Sequence, residues 1–165
     1  MNRFLTGKSW CFGDFVTTDD ILPGRFLELG NHEVGAHAMA GIAPGFSSRI
    51  APGDFIVAGD NFGMGSGREN APYAILQAGI AAVVAQSFSR LFFRTCINIG
   101  LPPVLVASTR EILEGDVLEV DLEARRVHHV RTGAHLPILN LTGISLAVIE
   151  SGGLLPYTRR RMGLE

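Results

Sequence analysis

The chain has 165 residues, 47% of them apolar and 18% charged, with a formal net charge of −2. This composition predicts one globular domain spanning 1–165 with a real core, and it excludes a disordered segment. It also excludes a basic field of the kind that steers a protein to nucleic acid or to an acidic membrane surface.

The first fifty residues read as loop-rich. SWCFGDFV (9–16) predicts a short strand, TTDDILPGRFLELG (17–30) mixes turn residues with apolar ones, and HEVGAHAMAGI (32–42) predicts a short helix weakened by Gly35. Pro52, Gly53 and Asp54 make a turn. The continuous apolar run Phe55, Ile56, Val57 and Ala58 predicts a strand buried on both faces.

A glycine-rich stretch follows, and RENAPYAILQAG (68–79) then predicts a helix ending at Gly79, with Pro72 suited to its first turn. IAAVVAQ (80–86) predicts a second buried strand. SFSRLFFRTCINIG (87–100) predicts a second helix, with Ser87 as N-cap and Gly100 just past its end. PPVLVA (102–107) predicts a third strand, so this part implies parallel pairing with right-handed crossovers.

Beyond residue 115 the pattern alternates. Val117, Leu118, Val120 and Leu122 lead to a turn near Glu123 and Ala124, and RRVHHV (125–130) returns, predicting a hairpin with one wet face. LTGISLAVIESGGLLPYTRRRM (141–162) predicts a final helix broken near Gly152 and Gly153. Arg159, Arg160 and Arg161 suit a solvated helix C-terminus. The fold class expected is α/β: a parallel strand–helix core with an added β-hairpin.

The stretch GDNFGMGSGREN (59–70) is the strongest candidate site. A P-loop needs a lysine after its last glycine, and there is none between Gly59 and Gly67. A dinucleotide fingerprint needs GxGxxG, and GMGSGR is one residue short. What remains is a glycine-rich turn into a helix N-terminus, where backbone amides face a common space. Arg68 adds a fork for a carboxylate. Ser66 lies between Gly65 and Gly67, and a serine oxygen accepts a proton where amides and cations stabilise its alkoxide. The stretch therefore suits a carboxylate substrate and a serine that works on it, or a glycine turn with no chemistry.

Asp19 and Asp20, read as extended chain, would point opposite ways, one to a site and the other to water. Arg25 follows a Pro-Gly turn that would place it at a rim. The histidines suggest no metal: His32 and His37 are poorly spaced, His128 and His129 face opposite ways on a strand, and His135 stands alone. Phe62, Met64, Phe92 and Phe93 read as packing residues. The two cysteines, Cys11 and Cys96, form no cluster-binding pattern and read as free thiols in a reducing cytosol. No signal-peptide or membrane-spanning run is present, which predicts a soluble, cytoplasmic chain without a membrane partner.

GDNFGMGSGREN with AVVAQSFSRLFFRTCINIGLP (82–102) resembles the small subunit of 3-isopropylmalate dehydratase and its relatives in the aconitase superfamily. FGDFVTTDDILPGRFL (12–27) and PGDFIVAG (52–59) resemble the same family in the same order, and the likeness runs from about Lys8 to Ile149. It implies the mobile swivelling domain, a β/β/α fold, paired with a large subunit carrying a [4Fe–4S] cluster on three cysteines. The active site would lie between the subunits. The reaction would be reversible dehydration and hydration of a small hydroxy-di- or tricarboxylate, shifting a hydroxyl between neighbouring carbons.

The resemblance puts the catalytic base on Ser66 and carboxylate binding on Arg68, with Asp19, Arg25, Gly65 and Gly67 as further substrate contacts. Phe26, Leu27 and Glu28 fall where members differ with substrate. Members usually read GCGSSREH where this chain has GMGSGREN, so Gly67 lacks a substrate-holding serine and Asn70 replaces histidine. Thr17 stands where Asp or Asn is frequent, and Glu28 suits neither an isopropyl group nor a third carboxylate. The resemblance implies interconversion of 3-isopropylmalate and 2-isopropylmalate in leucine biosynthesis; the departures keep 2,3-dimethylmalate or homoaconitate as alternative substrates, with a non-catalytic binding or regulatory role, and self-association, also open.

Overall fold

The computed structural model describes residues 2–164. Strands β1 (Phe4–Cys11), β2 (Phe55–Ala58), β3 (Ala82–Ala85) and β4 (Pro103–Leu105) pair in parallel, with Trp10 opposite Ile56, Ile56 opposite Val83 and Val84 opposite Val104. Strands β5 (Val117–Asp121), β6 (Arg126–His129) and β7 (Ala134–Pro137) continue the same sheet antiparallel from the other edge of β1, where Leu5 faces Val120. The order is β4-β3-β2-β1-β5-β6-β7, so β1 sits where a parallel half meets an antiparallel one.

Every residue of β2 and β3 is buried, as the uninterrupted FIVA and AVVA runs require when both faces are covered. Ile56 and Val83 face a core that includes Ile21, Phe46, Ile75 and Phe92. Phe55, Val57 and Val84 face a second core with Leu118, Val127 and Ile149. Strands β5 and β6 alternate buried and exposed positions, the mark of a sheet with one wet face.

The helices are α1 (Thr18–Ile21), α2 (Phe46–Arg49), α3 (Asn70–Gln77), α4 (Arg90–Ile99), α5 (Gly143–Glu150) and α6 (Leu154–Arg161). Among the described residues none is long and apolar enough to cross a membrane. Gly100 ends α4 with φ +84°, and Gly152 and Gly153 break α5 from α6, as the sequence predicts.

Several expectations are corrected. The N-terminal strand covers Phe4–Cys11 rather than 9–16. The predicted hairpin is a three-strand meander, because β7 adds to β6. The helix expected at 32–42 is one 3₁₀ turn, Val34–His37. A Cβ on Gly35 would stand 2.7 Å from the Gln77 carbonyl carbon, so this glycine serves the close approach of α3. Ser89 rather than Ser87 precedes α4, since the Ser87 hydroxyl accepts from the Asn61 amide at 2.7 Å and is committed to the glycine loop.

Candidate active site

Two segments leave the C-terminal ends of the parallel strands and enclose a cleft of about 400 Å³. The segment after β1 supplies Thr17, Thr18, Asp19, Leu22 and Leu27; the segment after β2 supplies Met64, Gly65, Ser66, Arg68 and Ala71. The first is set by a capping box: Thr17 Oγ1 accepts from the Asp20 amide at 3.0 Å, and Asp20 Oδ2 accepts from the Thr17 amide at 2.8 Å. This turns Asp20 back onto the chain and leaves Asp19 to the cleft.

The serine loop is pinned to that turn. The Gly63 amide donates to the Val16 carbonyl at 2.7 Å, the Thr18 amide to the Met64 carbonyl at 2.7 Å, and the Ser66 amide to Thr18 Oγ1 at 3.0 Å. Gly65 makes the last bond possible. Its φ is +115°, and a Cβ there would stand 2.8 Å from Thr18 Oγ1.

The Arg68 amide then donates to Ser66 Oγ at 3.2 Å, aiming a partial positive charge at the oxygen. The exposed Arg68 guanidinium makes no hydrogen bond or ion pair with any described residue, so its fork is open to a carboxylate. Helix α3 begins at Asn70; its N-cap is the exposed Glu69, which makes no side-chain capping bond, and its first turn holds no further acidic residue. A serine oxygen, an aimed amide, an open guanidinium and a helix N-terminus thus share one cleft wall. Such a wall offers the chemistry to hold a carboxylate and would lower the cost of placing negative charge on Ser66 Oγ.

Among the described residues no three His, Cys, Asp or Glu side chains meet in a way that could hold an ion. Cys96 is fully buried, which pushes its thiol well up, and the half-buried Cys11 thiol, also raised by burial, lies 3.5 Å from the Ile112 carbonyl. Neither cysteine lines the cleft, so these residues do not fit an iron–sulfur cluster.

Residues 46–109, which include the glycine loop, match the aconitase C-terminal domain. A 3-isopropylmalate dehydratase small subunit from Archaeoglobus fulgidus is 44% identical over 158 residues, covering 94% of this chain and 95% of the relative. The chain belongs to the 3-isopropylmalate dehydratase small-subunit family. Another member, an isopropylmalate/citramalate isomerase small subunit from Methanocaldococcus jannaschii, is 42% identical and covered to 98% on both sides. The crystal structure of a 3-isopropylmalate dehydratase from the same organism superposes with a TM-score of 0.92 at 39% identity, covering 98% of this chain and 96% of the other. The family subunit works beside a large subunit, so a partner chain is implied.

For this family member the structure brings Asp19, Leu27, Gly65, Ser66 and Arg68 to the cleft, and leaves Arg25, Phe26, Glu28 and Gly67 off its lining. Asp19 lies in a helical turn rather than extended chain, and its Oδ1 accepts from the Gly24 amide at 3.0 Å. The Arg25 guanidinium lies 4.5 Å from the centre of the Phe26 ring, which stacks at 3.8 Å on His37. Glu28 is exposed. Gly67 abuts Leu91 and has ordinary φ.

Sequence reasoning missed Thr18 and misread Met64 as packing. A signal existed for the first: Thr17 and Asp20 have capping-box spacing ahead of an apolar residue, which would have placed the turn. No local pattern could have revealed Met64, because half of the cleft lining, including Thr17 with which it forms a bridge, comes from the other segment.

Proposed function

We propose that this chain is the small subunit of a hydro-lyase that interconverts 3-isopropylmalate and 2-isopropylmalate in leucine biosynthesis, in the cytoplasm, with a large subunit closing the cleft. The observation that carries it is the Arg68 amide aimed at Ser66 Oγ from 3.2 Å, beside an uncommitted guanidinium. Arg68 takes a substrate carboxylate. Ser66, as alkoxide, takes the proton from the carbon next to that carboxylate; the C–H electrons form the double bond as the hydroxyl leaves the neighbouring carbon. The hydroxide that departs with the C–O electrons adds back to the carbon that lost the proton, as the protonated Ser66 gives its proton to the carbon that lost the hydroxyl and becomes the alkoxide again.

The [4Fe–4S] cluster belongs to the large subunit in this reading and supplies the Lewis acid for the hydroxyl. Leu22, Leu27, Met64 and Ala71 give the cleft an apolar lining that suits a substrate alkyl group, and Glu28 at the exposed surface does not oppose it. Arg68 is the only cationic side chain on that lining among the described residues, which disfavours a substrate with a third carboxylate such as homoaconitate.

The test is anaerobic turnover by this chain combined with its cluster-loaded large subunit. 2-Isopropylmaleate, 2,3-dimethylmaleate, homoaconitate and aconitate are compared, with Ser66→Ala in parallel. Hydration of 2-isopropylmaleate that is lost in the variant is the expected result. Turnover confined to a tricarboxylate would overturn it.

A further inference from the structure

We propose that Met64 forms the adjustable wall of an alkyl subsite and sets the length of the alkyl substituent that the cleft accepts. This inference rests on the reading of the cleft as an alkylmalate site, and it assigns one residue the task of choosing among alkylmalates.

Four of the cleft's lining residues are apolar, and they differ in freedom. Leu22 is 2% exposed and closes the α1 turn by donating its amide to the Thr18 carbonyl at 2.8 Å. Ala71 contributes only a methyl, from the first turn of α3. Leu27 belongs to the Arg25–Phe26 turn, and its carbonyl faces the Asn70 side-chain amide at 3.5 Å. Met64 is half-buried, as Leu27 is, but it alone is unbranched and rotatable about three bonds, so it can fit its thioether to substituents of different shape.

Its main chain cannot make the same adjustment. The Met64 carbonyl is held by the Thr18 amide, and residues 17 and 64 form a parallel bridge. Just before it, the Gly63 amide is bonded to Val16, and a Cβ at Gly63 would overlap the Phe92 ring. With the backbone fixed on both counts, a change of side chain at position 64 becomes a change of cleft volume rather than a shift of the serine loop. Met64 also lies two residues before Ser66, so it can sense the substituent next to the carbon being deprotonated.

The experiment measures kcat/KM for a series of malates carrying methyl, isopropyl and longer branched alkyl groups. The enzyme is the complex with the cluster-loaded large subunit, as wild type, Met64→Ala and Met64→Leu. Met64→Ala is expected to raise the ratio of the longest substrate to the isopropyl one by about tenfold, the scale of one or two methylenes in an apolar pocket. Met64→Leu, close in volume, keeps the wild-type ratio within about twofold. A loss common to all substrates in Met64→Ala, with the ratio unchanged, overturns the proposal and reduces Met64 to a loop residue. If Met64→Ala does not assemble, Met64→Gln replaces it: losses that grow with substituent size support the subsite, and equal losses overturn it. A wild-type complex that turns over none of the series overturns the functional reading and the subsite with it, a result distinct from an unchanged ratio.

Discussion

The Ser66 amide donates to the Thr18 hydroxyl oxygen at 3.0 Å, joining residues 48 positions apart. This bond fixes the proposed base to the turn that carries Asp19. Thr18→Val keeps the shape and removes the acceptor. It is expected to lower kcat by about a hundredfold, the scale of a small misplacement of a reacting group. Thr18→Ser should restore most of it. Steady-state kinetics on both variants, with circular dichroism to show intact folding, checks this.

Ser66→Ala should leave the fold untouched, because the side chain is exposed and its hydroxyl receives only the Arg68 amide. Turnover is expected to fall by about a hundred- to ten-thousand-fold, the usual scale for loss of a general base, with KM little changed. Arg68→Lys keeps the charge and loses the fork, so KM should rise about tenfold with a smaller change in kcat. Comparable losses of kcat and KM in both variants would mean that the two residues do not divide base and anchor between them.

The two glycines flanking Ser66 should respond differently. Gly65→Ala introduces a Cβ at φ +115° and 2.8 Å from Thr18 Oγ1, which costs roughly 1–3 kcal/mol and breaks the Thr18–Ser66 bond. Gly67→Ala meets only the Leu91 Cδ1 methyl at 3.0 Å, the end of a flexible exposed side chain. Thermal midpoints should fall by several degrees for Gly65→Ala and by less than about 1 °C for Gly67→Ala. Activity should survive only in the second.

Local chemistry was legible in the chain where neighbours in sequence are neighbours in space. β2 and β3 announce themselves as unbroken apolar runs, and Ser66 with Arg68 announces a site because amide, hydroxyl and guanidinium lie within three residues. β1 was placed too late because Thr6, Gly7 and Lys8 interrupt its apolar pattern; Gly7 is there because the Gly53 carbonyl occupies the place of its Cβ. β7 is four residues ending in proline and gains its strand character from pairing with β6. The same physics hid Thr18 and Met64, whose roles depend on partners from a distant segment.

Asp116, which is not on the cleft lining, gathers three donors. Arg131 Nε donates at 2.8 Å, the Leu113 amide at 2.8 Å, and His129 Nε2 lies 2.7 Å away at a fully buried position. The Arg131 guanidinium, followed by the Leu113 amide and His129, holds the Asp116 carboxyl well below the usual carboxylate range against the cost of burial. A folded-state value below the unfolded one means that its stabilisation is full above about pH 4–5 and is lost as pH falls through the folded value. Thermal midpoints should therefore drop between about pH 5 and pH 2, and Asp116→Asn should flatten that limb. At neutral pH the variant loses the charged bond to Arg131, whose side chain is about half exposed and stays solvated, so its midpoint should lie only a few degrees below wild type. The carboxylate bridges the loop before β5 to the β6–β7 turn, at the antiparallel end of the sheet, so turnover at temperatures where the variant is folded should match wild type. A parallel fall in kcat would show that this corner communicates with the cleft.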